Sequence, residues 1–115
     1  MTLGPVVRIS RGRFEPARYE EVARLLEDSA GALRPAIEEL RGLIYYHAAV
    51  DKETSTVVNV SIWEDVMAAK QMETLGAMLA QRPILEKAGV QFDRIANYEP
   101  LWTIGSVSRA GRDSC

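Results

Sequence analysis

A histidine, an asparagine and a tryptophan are the side chains whose types and spacing best suit chemistry in this chain. His47 is the only histidine and lies in an apolar, aromatic stretch. Asn59 and Trp63 lie four residues apart in a second stretch rich in β-branched residues. An imidazole, a carboxamide and an indole are the kinds of oriented polar group that a mostly apolar ligand pocket uses.

Two predicted β-strands, joined by a polar turn at residues 51–55, position these groups. If Val50 lies opposite Thr56, paired residue numbers have a constant sum and His47 lies opposite Asn59. Because side chains alternate between the faces of a strand, five residues then share one face: Tyr45, His47, Asn59, Ser61 and Trp63. The other face is almost entirely apolar: Ile44, Tyr46, Ala48, Val58, Val60 and Ile62. We therefore predict that the mixed face lines a pocket, with a plain surface or a dimer contact as the alternatives.

The rest of the chain supplies two helical regions and two further strands. Strands are predicted at residues 5–10 and 90–97, and helical regions at residues 16–40 and 64–88, each with an internal break. The order β-α-β-β-α-β predicts an α+β, ferredoxin-like domain, a four-stranded antiparallel sheet with helices on one face. Because both hairpin faces hold large apolar groups, we expect a second copy to cover the other face in a homodimer.

Length and composition set the class of protein. The chain has 115 residues, which is the length of one domain. We assign residues 1–104 to that domain and residues 105–115, which lack an apolar period, to a flexible C-terminal tail. A net charge of −2 disfavours nucleic-acid binding. No apolar run approaches the ~20 residues of a membrane span and no signal-peptide pattern is present, so we expect a cytoplasmic protein.

The single cysteine, Cys115, is the last residue. The sequence therefore predicts neither an internal disulfide nor a cysteine-based metal site. We expect Cys115 to be a mobile thiol without a role.

Over residues 6–104 the sequence resembles the antibiotic biosynthesis monooxygenase domain family, a branch of the dimeric α/β-barrel proteins. The resemblance rests on four features: Gly42-Leu43, Tyr46-His47-Ala48, Val57-Val58-Asn59, and Trp63 followed by an acidic helix start. The trio of His47, Asn59 and Trp63 is similar to that of cofactor-free monooxygenases that oxidise polyketide anthrones to quinones.

The resemblance implies an enzyme that uses molecular oxygen on an electron-rich phenol without a metal or another cofactor. The protein's tasks are then to stabilise the substrate anion and to exclude water. The resemblance implies that Asn59 and Trp63 donate N–H groups to the oxyanion and that His47 takes or relays the proton. Four residues are the expected substrate contacts, the last matching an arginine of the later helix approximately: Tyr45, Ser61, Met72 and Arg82.

Two departures from the family pattern keep alternatives open. Ala69 stands where those monooxygenases carry a further tyrosine, so a non-catalytic or stress-associated protein that binds a small apolar molecule is the second hypothesis. Haem-degrading relatives carry a first-strand asparagine, which this chain lacks. Each candidate also has an ordinary structural explanation, since a strand histidine, a tryptophan between sheet and helix, and helical methionines often serve packing alone.

Overall fold

The computed structural model describes residues 4–105 as one antiparallel sheet with helices over one face. The strands are β1 Val6–Arg13, β2 Leu43–Asp51, β3 Thr56–Trp63, β4 Gln91–Phe92 and β5 Ala96–Tyr98. The helices are α1 Tyr19–Asp28, α2 Ala30–Glu38, α3 Val66–Lys70 and α4 Gly76–Lys87. The predicted α+β, ferredoxin-like architecture is confirmed. Most of the predicted tail, residues 106–115 with Cys115, lies outside the described residues.

The strand predicted over residues 90–97 is two short strands, so the sheet has five strands and not four. The strand order is β2-β3-β1-β4, and β5 also pairs with β1. Phe92 lies opposite Gly12 and Ala96 lies opposite Ile9, so three residues of this segment face two residues of β1. One extra residue on one strand is a β-bulge, which interrupts the regular pairing.

The β2–β3 hairpin pairs one residue away from the predicted register. Ala48, and not His47, lies opposite Asn59. Because neighbouring residues of a strand point to opposite faces, this shift moves each β2 side chain from Tyr45 onward to the face opposite the predicted one. The prediction that His47 shares a face with Asn59 and Trp63 is therefore wrong.

The turn between the two strands explains the observed register. Asp51 pairs with Thr56, so the loop is one residue shorter than predicted. The Asp51 carboxylate accepts hydrogen bonds from the Thr54 hydroxyl at 2.6 Å and from the backbone N–H groups of Glu53 and Thr54 at 3.3 and 3.2 Å. Such local bonds from an aspartate hold a tight turn, and the turn then fixes the pairing of both strands.

The other end of the hairpin keeps the predicted pairing. Leu43 lies opposite Trp63, as predicted, because the register of β2 shifts between Leu43 and Tyr45. Gly42, directly before β2, has a φ of +80°, and a Cβ at this position would lie 2.8 Å from the Cβ of Ala68. Glycine therefore lets the strand begin in close contact with α3.

The helical breaks follow their local sequences. Ser29 separates α1 from α2, and its hydroxyl donates to the Leu26 carbonyl at 2.6 Å. Asp65 caps the start of α3 by accepting a hydrogen bond from the backbone N–H of Ala68 at 2.8 Å, which confirms the predicted acidic helix start. Between residues 4 and 105 no helix has the length and apolar character needed to span a bilayer.

The apolar core forms two clusters at opposite ends of the helix-covered face. The first cluster surrounds Trp63 and consists of Val6, Leu33, Ile37, Trp63, Ala68, Ala69 and Met72. The second consists of Phe14, Val22, Leu26, Val57, Leu85, Ala88 and Val90. The middle of the covered face therefore belongs to neither cluster.

The other face of the sheet, called the open face, has no helix over it within the described part of the chain. Its centre consists of half-buried aliphatic residues: Val7, Ile9, Val58, Val60 and Ile62. Three large apolar residues after β5 are also strongly exposed: Leu101, Trp102 and Ile104. Apolar surface of this extent is typical of a contact with another molecule.

Candidate functional site

Polar side chains cross the covered face between the two apolar clusters. Residues that pair across strands share a face, so the register arranges them in rows. One row is Tyr46, Ser61, Arg8 and Asn97, and the next is Ala48, Asn59 and Ser10. The row on one side of this pair consists of Leu43, Trp63 and Val6. The row on the other side consists of Val50, Val57 and Gly12. We call six residues the polar belt: Arg8, Ser10, Tyr46, Asn59, Ser61 and Asn97.

Arg8 is the charged residue of the polar belt and is only 9% exposed. Its Nη1 donates a hydrogen bond to Oδ1 of Asn97 at 3.0 Å and lies 3.8 Å from Oε2 of Glu73. Burial lowers the pKa of Arg8, whereas Glu73 and Tyr46 act in the opposite direction. A guanidinium carries five N–H donors, and within residues 4–105 both of these partners meet the same nitrogen. The remaining donors can bind a further acceptor.

Tyr46 brings a buried hydroxyl to the same row. Within residues 4–105 this hydroxyl has no hydrogen-bond partner. Burial raises the pKa of Tyr46 to about 12, and the nearby Arg8 charge lowers it in part. The hydroxyl therefore stays neutral at physiological pH and can donate a hydrogen bond. Leaving such a group unpaired costs roughly 1–3 kcal/mol, so it is a candidate contact for a ligand.

The side chains of Trp63 and Ser61 are joined by a hydrogen bond. Trp63 is fully buried, and its indole N–H donates to Oγ of Ser61 at 2.8 Å. Donation from Trp63 to a substrate oxyanion, as predicted from the sequence, requires this bond to break. In this structure Trp63 closes the first apolar cluster, and Ser61 supplies a small side chain between Tyr46 and Arg8.

Asn59 lies at the centre of the second row, between Ala48 and Ser10. It is half-buried, and within the described residues its carboxamide has no hydrogen-bond partner. Asparagine is disfavoured in strand interiors. A carboxamide at this position can donate an N–H to a ligand oxygen on the covered face.

His47 and Tyr45 lie on the open face, away from the polar belt. Nδ1 of His47 lies 2.8 Å from the Tyr45 hydroxyl oxygen, and their rings meet edge to face with centroids 5.3 Å apart. The thickness of the sheet separates this pair from Asn59 and Trp63. A ligand held at Asn59 on the covered face therefore cannot pass its proton directly to His47.

The two remaining predicted ligand contacts have different environments. Met72 is 5% exposed and packs in the first apolar cluster. Arg82 is exposed, donates from Nε to Oε2 of Glu86 at 3.0 Å, and lies 5.3 Å from the centroid of the Phe92 ring. Met72 is thus part of the core, whereas Arg82 borders a groove that is also lined by Arg8 and Asn97.

Two open grooves reach the polar belt from opposite edges of the sheet, one at Tyr46 and the other at Arg8 and Asn97. The larger, about 1000 Å³, follows the outer strand β2 against α1 and α2 and includes Tyr46. Because β2 is an outer strand, Tyr45 and His47 also border this groove. The smaller, about 480 Å³, includes Arg8 and Asn97. Pockets for small organic ligands have volumes of about 300–1000 Å³, so the larger groove has room for a compound of several rings.

Arg8, Tyr46 and Asn97 were not predicted as site residues from the sequence. The alternation of Arg8 and Ser10 with Val7 and Ile9 was a signal for a polar face on β1. Tyr46 was assigned to the apolar face because of the register error. Asn97 reaches the row of Arg8 only through the bulge before β5, which no local pattern predicts. Within residues 4–105 no group of three or more His, Cys, Asp or Glu residues is arranged to hold a metal ion.

The fold has close counterparts among solved structures. Rv0793 from Mycobacterium tuberculosis superimposes with a TM-score of 0.65 at 16% identity, over 89% of this chain and 100% of that one. A variant of SnoaB, a cofactor-independent oxygenase from Streptomyces nogalater, gives 0.63 at 14% identity over 89% and 98%. A Deinococcus radiodurans protein assigned provisionally to the antibiotic biosynthesis monooxygenases gives 0.66 at 17% identity over 88% and 97%.

The chain has the fold of the antibiotic biosynthesis monooxygenase structures. This confirms the resemblance inferred from the sequence at the level of fold. No protein-family model matches the chain, and no curated protein matches its sequence. At these identities the likeness concerns the fold, so activity has to be argued from the polar belt.

Proposed function

We propose that this protein is a cofactor-independent oxygenase that acts on a small aromatic compound with an acidic hydroxyl group. The observation that carries the proposal is the carboxamide of Asn59 at the centre of the polar belt, between two apolar clusters, which has no hydrogen-bond partner among residues 4–105. The fold shared with SnoaB, a cofactor-independent oxygenase, supports the same class of reaction.

The substrate itself supplies the electrons in this reaction. A ring CH₂ conjugated with a ring carbonyl, as in the keto form of an anthrone, loses a proton to give an enolate, and this anion passes an electron to O₂. The two radicals combine into a C–O bond, and the peroxide takes up a proton. The remaining C–H proton is then lost, its electron pair forms the C=O bond as the O–O bond breaks, and the departing hydroxide takes up a proton to leave as water. The net reaction converts R₂CH₂ and O₂ into R₂C=O and H₂O.

The residues of the covered face take defined roles in the proposal. Asn59 donates one N–H of its carboxamide to the anionic oxygen, where a fixed donor favours developing charge. Arg8 favours the ionised substrate through its positive charge, so the substrate proton can leave to water through the groove without help from His47. The two apolar clusters limit water around the anion and so strengthen these interactions.

Oxygen uptake with a panel of anthrones and hydroquinones tests the proposal. We expect Asn59→Ala to lower kcat by about 100-fold, the usual loss when one oxyanion donor is removed. Gln91→Ala removes an exposed carboxamide from β4 on the open face and is the matched control, with an unchanged rate expected. Equal rates in the parent and Asn59→Ala would remove Asn59 from the mechanism, and no uptake with any substrate would remove the oxygenase.

A non-catalytic binding protein is the second candidate. It is favoured by the Trp63 indole N–H, which is already bound to Ser61, and by the position of the only histidine on the open face. Native mass spectrometry of the purified protein distinguishes the two candidates. A retained aromatic ligand that is released unchanged after exposure to oxygen supports binding alone.

We also propose that a second copy of the chain covers the open face. The face is aliphatic at its centre, and its edge at the β2–β3 turn carries charges of opposite sign, Asp51 on β2 and Arg13 on β1. In a two-fold dimer, Asp51 of one copy can pair with Arg13 of the other copy, and the reverse pair forms by symmetry. Sedimentation velocity should show a dimer for the parent and for Ala32→Lys, an exposed control on α2, but a monomer for Val60→Lys. A monomeric parent at every concentration would contradict the proposal.

A further inference from the structure

We propose that Arg8 and Tyr46 together bind an anionic oxygen of the aromatic ligand, a carboxylate or an ionised phenol. The inference deepens the proposed function, on which it rests for the aromatic character of the ligand. It adds that a negative charge on the ligand is required for tight binding. It also assigns this selectivity to the row that contains Tyr46, Ser61 and Arg8.

The row places the two side chains on one face of the sheet, two strands apart. Tyr46 on β2 and Arg8 on β1 lie on either side of Ser61 on β3. Two strand spacings separate their Cα atoms by about 10 Å, and both side chains are long enough to lean over the small serine between them. The Arg8 charge acts on the Tyr46 hydroxyl, so the two groups share one electrostatic environment.

The charge balance around Arg8 leaves room for a negative partner. Its hydrogen bond to Asn97 involves a neutral acceptor. Its one carboxylate partner among residues 4–105, Glu73, lies 3.8 Å away, and the Glu73 side chain is 53% exposed, so solvent screens this charge. A cation in a desolvated site normally has a close anionic partner. A carboxylate or phenolate from a ligand fits this requirement, since a guanidinium offers paired N–H donors to such oxygens.

The Tyr46 hydroxyl supports the same kind of ligand. It is buried, has no hydrogen-bond partner within residues 4–105 and keeps its proton at neutral pH. It therefore acts as a donor beside the Arg8 cation, and two donors together favour an anion over a neutral group. Tyr46 borders the larger groove and Arg8 the smaller one, so the ligand can approach this row from either side.

Equilibrium binding to the full chain, measured by titration calorimetry at neutral pH, tests the inference without any turnover. The probes are 2-naphthoate, its neutral methyl ester, and 4-nitro-1-naphthol as the ionised phenol. We expect either anion to bind the parent at least about ten-fold more tightly than the ester, the range of a charge-assisted hydrogen bond. The two anionic probes distinguish a carboxylate from a phenolate ligand.

The variants distinguish a specific contribution of Arg8 from a general effect of positive charge on anion binding. We expect Arg8→Gln to lose the preference for the anions, and Arg24→Gln, which removes an exposed positive charge from α1, to keep it. Tyr46→Phe removes a hydroxyl that has no hydrogen-bond partner among residues 4–105, so the variant should fold normally and bind the anions several-fold less tightly than the parent. It therefore remains informative if Arg8→Gln does not fold.

The outcomes for this site and for the oxygenase differ. Equal binding of naphthoate and its ester by the parent, or an unchanged anion preference in both Tyr46→Phe and Arg8→Gln, overturns the inference. Tight anion binding that depends on Arg8, without oxygen uptake from any substrate, supports the inference and counts against the oxygenase. Oxygen uptake from neutral substrates without a preference for anions supports the oxygenase and overturns the anion site.

Discussion

The covered face of the sheet is polar in its middle, whereas the open face, with no helix over it in residues 4–105, is lined at its centre by valine and isoleucine. An ordinary half-covered sheet has the opposite arrangement, with apolar groups under the helices and polar groups in water. Here Arg8 and Asn59 lie under the helices, while Val60 and Ile62 lie on the open side.

The contrast between the faces indicates two kinds of contact. Polar groups retained under helices cost stability unless they are paired, and the Tyr46 hydroxyl has no partner in the described residues. A cost of this kind is expected where a ligand completes the hydrogen bonds. Aliphatic groups on an uncovered face are expected where another protein surface completes the packing. The contrast therefore supports the two proposals, ligand binding on the covered face and association through the open face.

Neighbouring residues on β3 test the contrast most strongly. Trp63→Ala on the covered face should lower the free energy of unfolding by about 3–5 kcal/mol, because it removes a fully buried indole from the first apolar cluster. Ile62→Ala on the open face should cost about 1 kcal/mol in dilute solution, where a half-buried side chain loses little. Urea unfolding of both variants measures the difference.

Urea unfolding at several protein concentrations distinguishes packing within one chain from association between two copies. If a second copy covers the open face, the loss for Ile62→Ala should grow as concentration rises, because association stabilises the folded state. Equal losses for Trp63→Ala and Ile62→Ala in dilute solution would mean that both faces are buried within one chain.

Alkaline pH tests the buried hydroxyl of the covered face. The pKa of Tyr46 rises from 10.0 to about 12 on folding, chiefly because of burial. The folded state thus keeps a proton that the unfolded state releases, so this contribution to stability is complete below pH 10 and is lost as pH rises towards 12. A shift of two pKa units corresponds to about 2.7 kcal/mol. Urea titrations between these pH values should show this decline in the parent.

The Tyr46→Phe variant identifies the source of that slope. It should unfold with a flatter pH dependence, whereas Tyr98→Phe, which removes an exposed hydroxyl from the open face, should keep the decline due to Tyr46. A slope that persists in Tyr46→Phe would mean that another group causes it.

The turn at Asp51 should give the smallest effect, although it decides which face each β2 side chain occupies. Hydrogen bonds, first of all from the Thr54 hydroxyl, lower the pKa of Asp51. The ionised carboxylate therefore contributes stability above its ordinary pKa, and this contribution is lost as pH falls through the lowered value. Asp51→Ala should destabilise the protein slightly at neutral pH and less in acid, and Glu53→Ala in the same loop is the control.

Amide hydrogen exchange of Asp51→Ala also tests whether the β2–β3 register is kept. Amide exchange of His47 and Ala49, which pair with Val60 and Val58, reports on pairing with β3, and we expect faster exchange in Asp51→Ala with the same protected residues. Identical stability of Asp51→Ala and the parent at neutral and acid pH would show that the turn bonds do not hold the hairpin.

The sequence by itself determined the element order, the ferredoxin-like fold and the two faces of β3. Alternation along one strand is local, so Asn59, Ser61 and Trp63 could be placed together from their spacing alone. Cross-strand partners are not local. A loop one residue shorter than predicted and a register shift beside Leu43 exchanged the positions of His47 and Tyr46 relative to Asn59.

Only the tertiary structure joined Arg8, Tyr46 and Asn97 into one row. These residues come from three strands far apart in the chain, and their meeting depends on a turn and a bulge whose free energies are small. Burial then gave the row its chemistry, because the same hydroxyl and guanidinium in water would have ordinary pKa values and water as a partner. Sequence spacing fixes which side chains share a strand face, and packing decides which of them a ligand can meet.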